Sequence, residues 1–228
     1  MPERPLLIFD VNETLLDLDA LLPHFERIFG DPNVMREWFA QLVLYSQATT
    51  LAGEYSPFGT LGGAVLRMLG RIKRRIVTDA DVSAIAAAVS SMPPHADVEV
   101  TLARLRAARY RMFTLTNNPA GTAAAQLAAG KLAGYFERMF SVDEVVRRFK
   151  PAPETYRWVA RELGVSTGQC CLIACHVWDT LGAAAAGMRA ALVLRAGNAP
   201  LAVGRQPDII GDDLTSIADA LLAEQGGG

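Results

Sequence analysis

Short apolar runs bounded by turn formers alternate along most of this chain with stretches in which apolar residues recur every three to four positions. The runs at 6–9, 112–115, 171–174 and 191–194 predict buried strands, and Ile209-Ile210 predicts a short fifth. Helical periodicity covers 98–108, 120–129, 153–163, 179–186 and 214–223. Asp213 stands ahead of the last of these, and Gly187 ends the one that starts at 179. Strands separated by helices imply right-handed crossovers and a parallel sheet covered on both faces, an α/β fold.

One stretch breaks the alternation. From about 17 to 92 there is no strand pattern but four helical segments, near 18–29, 33–51, 58–69 and 79–89. They are separated at Gly30-Asp31-Pro32, Ser56-Pro57 and Val77-Thr78-Asp79, and the chain returns to its alternating pattern at Pro93-Pro94. The expected organisation is a core domain of residues 1–16 and 93–228 with a helical domain, 17–92, inserted after the first strand. The stripe Phe25, Ile28, Phe29, Leu42, Val43 and Tyr45 reads first as the core of that insertion, with a homodimer face as the alternative. There is no internal repeat, and the only low-complexity segment is the glycine tail.

Composition narrows the function. Of 228 residues, 51% are hydrophobic and 20% charged, with a net charge of −2; such a chain has the core for a globular fold and is not a disordered one. Near-neutral charge argues against a nucleic-acid partner. No run approaches the roughly 20 apolar residues of a membrane span, and Leu6-Leu7-Ile8-Phe9 is too short for a secretory leader. Cys170, Cys171 and Cys175 are odd in number and clustered, which fits reduced thiols and a cytoplasmic location. Only His176 lies near them, so a zinc site with spaced ligand pairs is not expected.

In an open parallel sheet, ligands bind outside the carboxyl ends of the strands. The residues just past the predicted strands are Asp10-Val11-Asn12-Glu13-Thr14, Thr116-Asn117-Asn118, Lys150 in the loop after Phe140-Ser141, and Cys175-His176-Val177-Trp178-Asp179. Each has an ordinary structural reading: Asp10 as a turn residue, Lys150 as a surface lysine, Asp179 as a helix cap, Thr116 and Asn117 as turn formers. Together they place two carboxylates, a lysine, a hydroxyl and an amide on one edge. A carboxylate desolvated at a strand end suits a nucleophile.

Four segments carry a family resemblance: Phe9-Asp10-Val11-Asn12-Glu13-Thr14-Leu15, Leu115-Thr116-Asn117-Asn118, Lys150-Pro151-Ala152-Pro153-Glu154-Thr155-Tyr156 and Trp178-Asp179-Thr180-Leu181-Gly182-Ala183. In order and approximate spacing they resemble the haloacid dehalogenase superfamily, and within it the type II, L-2-haloacid dehalogenase-like branch. The resemblance implies a Rossmann-like core with a helical cap domain, which agrees with the insertion. It also implies a hydrolase that needs no cofactor and no metal and acts on a short halogenated carboxylic acid, a 2-haloacid or haloacetate. On that footing Asp10 is the nucleophile that displaces halide and forms an ester, and Thr14 orients it. Thr116 and Asn117 lie where the family binds the substrate carboxylate, and consecutive amides at Val11 and Asn12 can cradle the same anion. Lys150 lowers the Asp10 pKa, Asp179 helps to activate water, and Tyr156 and Trp178 line the site.

The phosphatases of this superfamily are the competing reading. They carry an acid two residues after the nucleophile, where this chain has Asn12, and a Gly-Asp pair for magnesium, where it has Ala174-Cys175. The chain also departs from the dehalogenases. An arginine follows a cap tryptophan there, whereas Phe39 follows Trp38 here, and His176 stands near a family asparagine. His176 is therefore either a replacement donor to the leaving halide or a hydrogen-bonded loop residue, with Arg36 and Gln41 as further cap candidates. A non-catalytic binding protein of the same fold is disfavoured by the intact Asp10, Lys150 and Asp179.

Overall fold

The structure, a computed structural model, describes residues 4–226; the first three residues and the last two glycines lie outside the described residues. Six strands, β1 (Leu6–Phe9), β2 (Met112–Thr116), β3 (Arg138–Ser141), β4 (Cys170–Ala174), β5 (Arg189–Val193) and β6 (Ile209–Gly211), form one parallel sheet in the order β3-β2-β1-β4-β5-β6. Helices α5 (Val98–Ala107), α6 (Ala120–Ala129), α7 (Pro153–Glu162), α8 (Val177–Ala186) and α9 (Leu214–Gly226) alternate with these strands except between β5 and β6, which a loop without a helix connects. The chain starts at the centre of the sheet, builds one side through β2 and β3, then returns beside β1 with β4. That is the Rossmann-like α/β order, and it opens a crevice between the ends of β1 and β4.

β1, β2 and β4 are buried throughout, as strands covered on both faces must be, and so they read as unbroken apolar runs. β3 was not among the expected strands. Its first two residues, Arg138 and Met139, are exposed, and only Phe140 and Ser141 are buried. β5 begins two residues earlier than expected, at Arg189, whose guanidinium pairs with Glu224 of α9 and breaks the apolar run. α8 begins at Val177, directly after the Cys175-His176 turn, so Asp179 lies in its first turn rather than capping it.

Between β1 and α5 lie α1 (Leu22–Phe29), α2 (Val34–Ala52), α3 (Phe58–Ile72) and α4 (Asp79–Ser90), with no strand among them. Two of the expected breaks act as caps, Gly30 ending α1 in the left-handed conformation and Thr78 with Asp81 forming a capping box at the start of α4; α2 is ended by Gly53, also left-handed, ahead of the expected Ser56-Pro57 break. The two chain crossings at the base of this segment are tied together: the Asp17 N–H donates to the Pro93 carbonyl at 2.8 Å and the His95 N–H to that of Leu15 at 3.0 Å. Phe25, Ile28, Phe29, Leu42 and Val43 are buried, whereas Tyr45 is exposed and outside that core. The segment reaches the sheet domain where Tyr55 stacks on Phe149 at 5.0 Å and the Phe149 N–H donates to Thr50 Oγ1. Among the described residues no helix is long and apolar enough to cross a membrane.

Candidate active site

β1 delivers Asp10 into the crevice beside β4, and the Asp10 N–H donates to the Ile173 carbonyl at 3.0 Å. Thr14, one turn further on, donates its hydroxyl to Asp10 Oδ2 at 2.7 Å and accepts from the Cys175 N–H at 3.0 Å, which locks the carboxylate to the end of β4. Asp10 is almost completely buried. Its two sides are flanked by Lys150 and His176.

On one flank stands Lys150, 1% exposed, in the loop between β3 and α7. Its ammonium donates to Asp10 Oδ1 at 2.8 Å, to Asp179 Oδ2 at 2.6 Å and to the Leu115 carbonyl at 3.0 Å, so its three protons have three acceptors. Asn117 fixes the same loop by accepting from the Lys150 backbone N–H at 3.0 Å. Behind it the Tyr156 hydroxyl donates to Asp179 Oδ1 at 2.5 Å. This packing requires Gly182: a Cβ there would lie 2.6 Å from Pro151 and 2.7 Å from the Tyr156 hydroxyl. Burial would lower the Lys150 pKa, but the two carboxylates outweigh it and hold the ammonium above its ordinary value. Asp179 moves up, because burial, reinforced by the Asp10 charge, exceeds the pull of Lys150.

On the other flank stands His176. Its Nδ1 is 3.6 Å from Asp10 Oδ2, and its Nε2 is 2.8 Å from Oε2 of Glu13. Glu13 is 3% exposed and left-handed at φ 64°, a conformation that costs a residue with a Cβ roughly 1–2 kcal/mol. Its carboxylate also pairs with Arg36 of α2, which reaches Asp19 as well, and its carbonyl contacts His95 Nε2 at 2.9 Å. Burial disfavours the imidazolium, but Cys175, Asp10 and Glu13 together hold His176 well above its ordinary value. Burial also pushes the Cys175 thiol up and keeps it neutral near pH 7, so the two carboxylates carry the effect. For Asp10 burial is again the largest influence, and Lys150 and His176 overcome it to hold the carboxyl well below the usual carboxylate range. The result is a line of alternating charge: Asp179, Lys150, Asp10, His176, Glu13, Arg36.

Asp10 opens on a small reacting chamber of about 20 Å³, lined also by Asn12, Phe39, Val43, Phe58, Thr116, Asn117, Lys150, His176 and Trp178. Most of the predicted site residues therefore converge. Val11, Thr14, Tyr156 and Asp179 do not line it. The Val11 side chain packs in the core, leaving only its backbone near the site; fully buried Thr14 and Asp179 hold Asp10 and Lys150 from behind, and Tyr156 in turn bonds Asp179. Trp178 stacks on His176 with centroids 4.9 Å apart, and its ring lies 5.7 Å from Lys150 Nζ. Phe39, where the resemblance calls for an arginine, packs against His176 at 5.5 Å. Arg36 points away to Glu13. The sequence reading singled out neither Glu13 nor Gln126. Glu13 sits inside the first motif, but its partners are 23 and 163 positions away.

The donor set does not suit a hard divalent cation. Asp10, Cys175 and His176 each bring one ligand atom within 4.8 Å of the others. The first already accepts from Lys150 and Thr14, the second is a protonated thiol, and the third is paired with Glu13. Magnesium prefers several oxygen ligands, and bound ligands must be deprotonated. Asn12 Oδ1 accepts from Gln126 at 2.9 Å and Asn118 at 3.2 Å, so the position of the phosphatase acid belongs to an amide network with no acidic proton to give.

A buried carboxylate just past the first strand, at the switch point of a Rossmann-like sheet and held by a lysine and a threonine, defines the class of fold and site. The chain belongs to the haloacid dehalogenase-like hydrolase family, whose model matches residues 5–187. It is 26% identical over 195 residues to the (S)-2-haloacid dehalogenase 4A of Burkholderia cepacia, covering 85% of this chain and 84% of that one. It is also 32% identical over 152 residues to a plasmid phosphoglycolate phosphatase of Cupriavidus necator, covering 60% of this chain and 65% of that one. The fold superposes with a TM-score of 0.87, at 22% identity, on an L-2-haloacid dehalogenase from Xanthobacter autotrophicus with chloropropionic acid covalently bound, covering 99% of this chain and 100% of that one.

Proposed function

We propose that this protein is a hydrolytic dehalogenase of 2-haloacids, working through an ester on Asp10, with residues 17–92 as a cap over the reacting chamber. The observation that carries the reading is the state of Asp10: ionised, held from both sides, and facing a chamber whose second-position acid has been replaced by Asn12. The substrate carboxylate binds at Thr116 and Asn117 and at the backbone of Val11 and Asn12, beside the Lys150 charge. An Asp10 oxygen attacks C2, the carbon–halogen bond breaks, and the halide leaves with its electron pair toward His176. The imidazolium supplies the charge-assisted donor that Phe39 does not. Water then attacks the carbonyl carbon of the ester and gives its proton to Asp179, whose raised pKa makes it a better base. The acyl–oxygen bond breaks, the departing C2 oxygen takes the proton from Asp179 to give the 2-hydroxy acid, and the second proton of the water passes to solvent, which regenerates Asp10 as carboxylate.

The similarity to (S)-2-haloacid dehalogenases supports this chemistry, and three free, buried cysteines are in keeping with a cytoplasmic setting. The test is halide release from a panel of 2-haloacids and haloacetates in the presence of EDTA, run beside a phosphatase assay with magnesium. Halide release that survives chelation is expected. Phosphate release restored by magnesium, with no halide, would replace this reading by the phosphatase one.

A further inference from the structure

Beside the reacting chamber lies a second cavity of about 130 Å³ within the helical segment. The two share Asn12, Phe39 and Phe58 as a partition. The walls of the larger one come from α2, α3 and α4, chiefly Trp38, Leu42, Leu66, Val82, Ile85 and Val89, and no charged side chain lines it. Much of its polar margin is already committed: the Asn12 and Asn118 amides bind each other and Gln126, and the Ser90 hydroxyl donates to the Ala86 carbonyl, with Thr122 completing the margin. Its volume is made by missing side chains. Gly59, Gly62 and Gly63, spaced to fall on one face of α3, all border it, although glycine weakens a helix. At Gly59 a Cβ would meet nothing within 4 Å, whereas at Gly62 it would stand 3.4 Å from Trp38.

We propose that this cavity binds an apolar substituent on the substrate, so that the enzyme takes 2-haloacids carrying a butyl- or benzyl-sized group besides short ones. The inference rests on the proposed dehalogenase reading. It follows from adjacency and polarity: the acid head needs the charged and amide groups around Asp10, and the cavity that shares Asn12, Phe39 and Phe58 with its chamber offers mostly carbon. An apolar protein cavity of about 150 Å³ holds a benzene molecule, so the volume fits one ring or a short alkyl chain. Phe39 serves both spaces. The residue that takes the place of an arginine on the halide side is also a wall of the apolar one.

The experiment measures kcat/KM for halide release from 2-chloropropionate, 2-chlorobutyrate, 2-chlorohexanoate and 2-chloro-3-phenylpropionate. The proteins are the wild type and two variants that fill the cavity from its margin, Gly59→Leu and Ala86→Phe. The wild type should gain about fourfold per added methylene up to the hexanoate. Each filling variant should lose about tenfold or more on the two large acids while staying within about twofold on 2-chloropropionate. A wild-type series that is flat or falls with chain length overturns the inference, as does a loss spread equally over all four acids. Calorimetric titration with halogen-free 3-phenylpropionate and propionate separates the two claims. If no acid releases halide but phenylpropionate binds more tightly than propionate and Ala86→Phe abolishes the difference, the dehalogenase reading fails and the cavity assignment stands. Equal affinity for the two acids removes the cavity assignment.

Discussion

On one side of Asp10 a fully buried lysine makes three hydrogen bonds and is backed by Tyr156; on the other an imidazole, clamped from behind by Glu13, stands 3.6 Å from the carboxylate and faces the reacting chamber. Both flanks bring positive charge to the same carboxylate, yet they suit different moments of a reaction. The contacts of Lys150 are complete before any substrate arrives, so they set the resting charge of the nucleophile. The Nδ1 side of His176 makes only long contacts, 3.6 Å to Asp10 Oδ2 and 3.6 Å to Cys175 Sγ, and that leaves its charge for an anion that forms later. Only interactions that strengthen in the transition state raise kcat. On the proposed reaction the lysine flank is therefore the structural half of the charge line, and the histidine flank is the half assigned to departure of the halide.

Lys150→Met breaks the comparison most severely. It leaves Asp10 and Asp179 buried beside each other without their cation, and removing one partner of a buried ion pair costs about 3–5 kcal/mol. Urea unfolding should show a loss of that order, with part of it recovered in Lys150→Met/Asp179→Asn. Equal stability of wild type and Lys150→Met would remove the structural role. His176→Asn should act on the other quantity: loss of a charge-assisted donor of about 1.5–3 kcal/mol slows halide release about ten- to hundredfold. The folded protein should otherwise persist, and unchanged turnover would show that the halide is stabilised elsewhere.

Gly182→Ala sharpens the lysine side. The added methyl overlaps Pro151 and the Tyr156 hydroxyl, and overpacking of this kind costs about 1–3 kcal/mol. Thermal unfolding together with kcat should fall, because α8 and the Lys150 loop must move apart; an unaltered kcat at lowered Tm would show that the loop tolerates the shift. Glu13→Gln gives the smallest effect at low pH and the most specific one. The His176 pKa is raised in the folded state, so its contribution to stability is fully present below its ordinary value near 6.5 and is lost as pH rises through the folded value. Halide release should decline along the same alkaline limb. Without Glu13 that limb should move to lower pH, while activity near pH 6 changes only a few-fold. A pH profile identical to the wild type would mean that Glu13 does not hold the proton on His176.

The lysine flank was legible in the sequence because its members stand where apolar runs stop. Asp10 directly follows Leu6–Phe9, Asp179 closely follows β4, and a Lys-Pro segment marks the loop to Lys150. The histidine flank was only half legible. His176 stood out by position, but nothing local announces that Glu13 turns left-handed to meet it or that Arg36 closes the line from another helix. Asn12 read simply as the absence of an acid. Its ties to Asn118 and Gln126 bring together three amides spread over more than a hundred positions. β3 escaped because exposed Arg138 and Met139 leave it too little apolar pattern, whereas the helices of the inserted segment were separated well by Gly30, Ser56-Pro57 and the Thr78 cap.

The account depends above all on a covalent bond to Asp10. Its most direct test is a single turnover of 2-chloropropionate with excess enzyme in oxygen-18 water, followed by mass analysis of the peptide that contains Asp10. The account predicts one heavy oxygen in the Asp10 carboxylate and none in the hydroxyl of the product, since water attacks the carbonyl carbon of the ester. Label in the product hydroxyl with an unlabelled Asp10 would show direct attack of water on the substrate and would contradict it.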